Sequence, residues 1–327
     1  MNQIIRITKE SGIPLVGLVF IGCIDRGTNL LQIRPTSFCN LNCTFCSVDS
    51  GAYSTTHPVS YEVEINYLMQ WVKEIVEYKG PGVEANFDSV GEILTYPNFL
   101  QLVEETVKLE NVSKISMQTN GTLLSKNNID KLEKLGMGQI NLSINSLNNE
   151  KAKLFSGTQD YDVQHILEMA EIISKSKIQL LLAPVFMPGV NDSDIEDIIQ
   201  LAQKLNAKLG IQKYEIYKYG RQHKPAKHIN WWKFYKQIEQ WEKKYNTRLK
   251  LTVEDMRIEK RKRLPQIFEK GEKITVEVKA PGWVKGQMIG VSKNRAISIN
   301  NCKRNMNDKV NVKILENKNE IYLAEEI

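Results

Sequence analysis

Arg34-Pro35-Thr36-Ser37-Phe38-Cys39-Asn40-Leu41-Asn42-Cys43-Thr44-Phe45-Cys46 is the stretch on which the reading of this chain turns. Three of the five cysteines crowd into it, while Cys23 and Cys302 stand alone. Neighbours this close cannot satisfy disulfide geometry as a set, and an odd total argues further against a disulfide framework. A metal site in a reducing compartment fits better. Structural zinc wants a fourth Cys or His, and the nearest is His57, eleven residues after Cys46. Alternatively, thiolates at these spacings wrap one iron–sulfur cube, each taking a separate iron and leaving a fourth iron open.

Working outward, the chain alternates strand-like and helical runs. Strands are expected at Leu30 to Ile33, Glu84 to Ser89, Lys114 to Gln118, Gln139 to Ile144, Ile178 to Pro184, Ile211 to Tyr217 and Leu249 to Val253. Amphipathic helices are expected between them, the first opening at Ser60. Such alternation calls for right-handed crossovers and a mostly parallel sheet, and the preferred α/β architecture is a partial six-stranded barrel. Ile4 to Thr8 and Leu15 to Ile24 read as extra strands of an N-terminal β extension, residues 1–30. The α/β part covers 31–262. After a charged, Gly-containing interruption, five short apolar runs in residues 270–327 read as a small all-β barrel.

With 327 residues, 42% apolar and 25% charged, the chain holds enough for one full core plus a smaller unit, which excludes a disordered chain. No run of 18 apolar residues and no opening signal sequence are found, so a cytoplasmic monomer without a membrane partner is expected. The net charge of +6 is unevenly spread: residues 1–217 hold 18 Lys+Arg against 25 Asp+Glu, and residues 218–327 hold 26 against 13. The densest run is Arg257 to Arg263, including Lys260, Arg261, Lys262 and Arg263. That asymmetry suits a polyanion such as RNA, and equally a solvated linker. The isolated Cys23 and Cys302 read first as buried free thiols.

The cysteine spacing, with aromatic Phe45 before the last thiol and the first alternating strand just upstream, resembles the radical S-adenosylmethionine superfamily. The resemblance implies a [4Fe-4S] cluster on Cys39, Cys43 and Cys46, with S-adenosylmethionine on the open iron. Val90-Gly91-Glu92-Ile93 is similar to the family's Gly-Gly-Glu-Pro turn with one Gly and the Pro missing, which makes Gly91 and Glu92 candidates for the methionine amine. Thr119-Asn120-Gly121 and Ser143-Ile144-Asn145-Ser146 match turns that shape the cofactor pocket, making Asn120, Ser143 and Asn145 candidates. Pro184 follows the fifth strand, whose end packs near the adenosyl group in similar proteins. An electron donor such as ferredoxin or flavodoxin is implied as well.

The last 58 residues resemble the RNA-binding TRAM barrel, which makes tRNA or another RNA the expected substrate. Arg221, the basic run, Trp283 and Lys285 become candidates for phosphate and base contacts. Two alternatives stand beside this: radical modification of a protein, peptide or small-molecule cofactor precursor, and a non-catalytic iron–sulfur protein.

Overall fold

The computed structural model describes residues 3–327. In chain order its strands and helices are β1 (Gln3–Ile7), β2 (Gly22–Asp25), β3 (Leu30–Arg34), β4 (Val59–Val63), α1 (Ile65–Lys79), β5 (Val83–Phe87), α2 (Phe99–Val107), β6 (Val112–Thr119), α3 (Lys126–Lys134), β7 (Gln139–Leu142) and α4 (Asn149–Ser156). Then follow α5 (Val163–Ser174), β8 (Gln179–Leu182), β9 (Val185–Phe186), α6 (Asp192–Lys204), β10 (Lys208–Leu209), β11 (Gln212–Lys213) and α7 (Trp231–Tyr245). The chain ends in β12 (Lys273–Pro281), β13 (Met288–Ser292), β14 (Arg295–Asn300), β15 (Lys309–Glu316) and β16 (Leu323–Glu326). The result is a mixed α/β core of the partial β/α-barrel kind, with extra N-terminal strands and a small closed C-terminal barrel.

The chain forms two compact units, neither continuous in sequence. The first comprises residues 1–39, 52–114 and 259–327, and the second residues 40–51 and 115–258.

In the first unit β3 pairs parallel with β5 and antiparallel with β2, while β1 pairs parallel with β4. The pairing with β1 explains why Ser60 does not open a helix. Val59, Ser60 and Tyr61 are buried strand residues, and the helix starts five residues later, where the Glu64 carboxylate accepts the Asn66 and Tyr67 N–H groups. The apolar run Ile13 to Ile21 forms no strand. It is a buried coil whose Val16 and Gly17 carbonyls accept the Ala296 and Tyr322 N–H groups, at 2.9 Å each. A Cβ on Gly17 would lie 1.9 Å from the Ala296 carbonyl oxygen, so only glycine allows this approach. The barrel closes in the order β12-β13-β14-β16-β15. Its interior is filled by Val276, Val278, Ile297, Ile299, Val312 and Ile314, the inward set of alternating strands.

One ion pair in this unit is fully buried. Lys79, at the end of α1, meets Asp25, at the end of β2, at 2.7 Å, with both side chains 0% exposed. Asp25 also accepts the Gly27 and Leu264 N–H groups, and Lys79 donates to the Lys262 carbonyl. The backbone of the basic run is thereby fixed onto β2 and α1 while its side chains stay exposed.

In the second unit β6, β7, β8 and β10 form a parallel ladder, with Thr119 beside Leu142 and Leu142 beside Leu182. The expected strand Ile211 to Tyr217 contracts to Gln212–Lys213, which pairs with β9. Leu249 to Val253 forms no strand. Its turn is organised by side chains instead: Glu242 accepts the Leu249 and Lys250 N–H groups, and Asp255 accepts that of Thr252.

Candidate active site

The candidate residues follow the carboxyl ends of successive strands: Cys39 after β3, Gly91 and Glu92 after β5, Asn120 after β6, Ser143 and Asn145 after β7, and Pro184 after β8. Loops at such strand ends are where parallel α/β proteins gather their chemistry.

The first unit carries Cys39, Gly91 and Glu92. A Cβ on Gly91 would meet the Phe38 carbonyl oxygen at 2.0 Å and the Cys39 nitrogen at 2.9 Å, so this turn lies directly on the backbone that presents the first cysteine. Glu92 N–H donates to the Phe38 carbonyl at 2.8 Å, and its carboxylate accepts the Leu94 N–H at 3.0 Å. Glu92 is 1% exposed. One glycine is therefore indispensable here, and the missing Pro is replaced by a short helical turn that Glu92 caps.

The second unit carries Cys43 and Cys46 on the loop 40–51. Asn42 and Thr44 donate backbone N–H groups to Ser156 and Phe155 at 2.9 Å, and a Cβ on Gly157 would collide with the Asn42 carbonyl. Phe45 packs edge-on to Phe155. Asn120 donates to Asn40, Gln118 donates to the Ser143 hydroxyl, and the Asn145 carboxamide accepts the Val185 N–H. Asn120, Ser143 and Asn145 line one cavity with Cys43 and Tyr161. Tyr161 carried no sequence signal; burial pushes its phenol well above the ordinary range, so it stays neutral in this cavity. Pro184 does not line this cavity, and its carbonyl accepts the Gln212 N–H.

Arg221 corrects an expectation. It is not presented to a phosphate: its guanidinium spans the cysteine loop, donating to the Cys43 carbonyl at 2.9 Å and the Ser50 carbonyl at 2.6 Å, and meeting Asp49 at 2.7 Å. Its N–H also donates to the Cys46 carbonyl at 2.8 Å. A forked, permanently charged group suits this three-way brace, which a lysine cannot reproduce. Nearby, His223 bonds Thr44 at 3.0 Å, and burial lowers its pKa.

Trp283 is corrected likewise. It is 6% exposed, stacked on His57 at 3.8 Å and packed against Phe20, so it offers no open face to a base. His57, the nearest fourth donor for zinc, has Nδ1 on the Trp283 carbonyl at 2.9 Å. Lys260, Arg261, Lys262, Arg263 and Lys285 are exposed or half-exposed, with Arg261 paired to Glu259 and the Lys262 ammonium over the Tyr78 ring.

Cys39, Cys43 and Cys46 are in no disulfide and are partly exposed. The Ser50 N–H points at Cys46 Sγ, 3.4 Å away, the kind of hydrogen bond that cluster sulfurs receive. Among the described residues no group of three or more His, Cys, Asp or Glu side chains is drawn together as for a single metal ion. By its chemistry alone the donor set fits an iron–sulfur cluster, with one thiolate available to each of three irons.

The family model of the radical SAM superfamily matches residues 33–202, over half of the chain. The chain belongs to the radical SAM superfamily. This radical SAM protein is 39% identical, over 96% of its length, to an uncharacterized protein of Methanocaldococcus jannaschii, of which the alignment covers 78%. It is 29% identical to the GTP 3',8-cyclase of Alkaliphilus oremlandii, over 54% of this chain and 53% of the cyclase. Streptococcus suis SuiB bound to its precursor peptide SuiA shares the fold, with a TM-score of 0.54 and 14% identity, over 74% of this chain and 49% of SuiB. The radical SAM chain thus spans about half the length of both the cyclase and SuiB. Among its described residues no helix is long and apolar enough to cross a membrane.

Proposed function

We propose that the protein is a radical SAM enzyme that abstracts a hydrogen atom from a small molecule, with Cys39, Cys43 and Cys46 holding a [4Fe-4S] cluster. When bound, the cluster and S-adenosylmethionine supply a 5'-deoxyadenosyl radical as the abstracting species. The three cysteines at this spacing, with a backbone N–H on Cys46, carry the reading. In it, Arg221 and the Phe155–Gly157 backbone hold the loop, and Gly91 and Glu92 hold the chain at Cys39. Asn120, Ser143 and Asn145 offer polar groups to the cofactor's methionyl and ribose parts, and Tyr161 keeps a neutral donor in the same cavity. Polar groups fixed by these hydrogen bonds orient what binds beside the cysteine loop.

The small-molecule reading is supported by the similarity to GTP 3',8-cyclases over about half of the chain. It is also consistent with Arg221 and Trp283 being engaged by partners within the protein. Anaerobic protein loaded with iron and sulfide, given dithionite and S-adenosylmethionine, is expected to release 5'-deoxyadenosine. Adding a purine nucleotide such as GTP is expected to raise that release and to yield a new product by mass spectrometry. A modified nucleoside in tRNA, with no nucleotide or metabolite product, would replace this substrate class. Stoichiometric zinc and no iron would remove the reaction itself.

A further inference from the structure

Residues 216–250 hold ten Lys and Arg against two acids, Glu239 and Glu242. This is the most one-sided charge in the second unit, and it does not lie on the terminal barrel. Three of the ten are spent in ion pairs: Arg221 with Asp49, Lys244 with Glu196, and Arg248 with Asp255. Lys218, Lys224, Lys227, Lys233, Lys236, Lys243 and Lys250 are exposed and make no ion pair among the described residues. Large aromatics stand open among them. Tyr217, Trp231 and Trp232 are 55%, 53% and 66% exposed, although α7 turns Phe234, Ile238 and Trp241 inward. Lys236 lies over Trp232 at 4.9 Å and Lys218 over Tyr219 at 5.0 Å.

The position of this surface gives it meaning. Gly220 approaches the Ser47 and Cys46 carbonyl oxygens so closely that a Cβ would meet them at 2.7 and 3.0 Å, and the Arg221 N–H is bonded to Cys46. Lys218 is three residues from that bond, at most ~11 Å along the chain. The lysine–aromatic segment therefore begins beside the backbone of the loop that carries Cys43 and Cys46. A cluster held by that loop must receive one electron from outside for each reductive cleavage of S-adenosylmethionine. A carrier that delivers it has to come close to these thiols.

We propose that the face formed by the 216–227 loop and the first turns of α7 is the docking site of a small acidic one-electron carrier protein. The carrier loses one electron and the bound cluster gains one. Unpaired lysines steer an acidic surface toward the loop, and the exposed Tyr217, Trp231 and Trp232 give a desolvated centre, the residue types that anchor protein interfaces. This inference rests on the radical SAM reading.

The test is cluster reduction in the full-length, iron-loaded protein, followed by visible bleaching and by the electron paramagnetic resonance signal of the reduced cluster. Reduced flavodoxin serves as the acidic carrier and dithionite as the small reductant. The Lys218→Glu/Lys224→Glu/Lys236→Glu variant is expected to slow reduction by flavodoxin about 10-fold or more at low salt and to flatten its salt dependence. Its reduction by dithionite is expected to stay within about twofold of the parent. Trp232→Ala is expected to weaken flavodoxin binding with the same dithionite control. An unchanged flavodoxin rate, or equal slowing with both reductants, overturns the proposal. So does a variant that loses binding to a single-stranded oligoribonucleotide while keeping its flavodoxin rate, since that would make the face a nucleic-acid site. If parent protein carries no cluster that dithionite reduces, the underlying reading fails instead.

Discussion

The cysteine loop and the C-terminal barrel are held by opposite means. The barrel is closed by strand pairing around an apolar interior, so its stability is spread over many side chains. The loop 40–51 forms no strand or helix; beside the packing of Phe45 on Phe155, its place is set by main-chain hydrogen bonds, close-approach glycines and one guanidinium. Spread support tolerates single changes, whereas support through one fork does not. A loop with partly exposed thiols gains from this, because only Phe45 is committed to the small cluster of Phe155, Met187 and Tyr214 while the thiols stay open to ligands.

The sharpest way to break that contrast is through the thiols. Cys43→Ala is expected to abolish both iron retention and 5'-deoxyadenosine formation, and a full iron complement in that variant would end the cluster assignment. Next in size is the first unit's buried pair. Asp25→Ala leaves the Lys79 ammonium uncompensated and is expected to cost about 3–5 kcal/mol in urea unfolding, more than a single truncation on the barrel surface. Arg221→Ala removes the guanidinium from Asp49 and from the Cys43 and Ser50 carbonyls, an expected loss of about 1–3 kcal/mol. Since 1.36 kcal/mol is a factor of ten, iron should pass to a chelator roughly ten times faster than from the parent, with Arg221→Lys in between.

A smaller effect separates the barrel by pH. Burial first, and the Glu320 carboxylate second, push the Tyr322 phenol up to about 12. Its folded value lies above the unfolded one of roughly 10, so its contribution is present below pH 10 and lost as pH rises through 12. Thermal melts should hold steady from neutral to mildly alkaline pH and fall between those values, and Tyr322→Phe should soften the fall at a cost of about 1 kcal/mol near neutrality. The smallest response is expected at Cys23, whose thiol burial pushes up to about 12. Alkylation of cluster-free native protein at pH 8 should label Cys39, Cys43 and Cys46 and leave Cys23 untouched.

Much of this was legible in the chain. Cysteine spacing and strand–helix alternation are local signals, and they located the loop and the parallel ladder of β6, β7 and β8. What failed was non-local. Ser60 looks like a helix cap because its hydroxyl and following acids suit one, but pairing with β1 makes it a strand residue. Leu249 to Val253 has strand composition, yet carboxylate-organised turns take its backbone donors. Arg221 and Trp283 were misassigned for one reason: a charged or aromatic side chain in a basic region reads as surface, and only tertiary contacts show the group turned inward. The Glu92 turn was half legible, since the Gly91 approach to Phe38 explains the glycine that stayed and the local cap explains how Pro was dispensed with.

The Asp25–Lys79 pair has a practical consequence for anyone dissecting the molecule. Leu264 and Lys262 feed that pair from the chain leading into the barrel, and Val16 and Gly17 supply backbone acceptors to β14 and to Tyr322. A fragment begun near residue 264 would lose those acceptors, while the remainder would keep a buried Asp25 carboxylate stripped of the Leu264 N–H. Proteolysis aimed at the basic run should accordingly be slow in the native state, and expression of the terminal barrel by itself should give insoluble material.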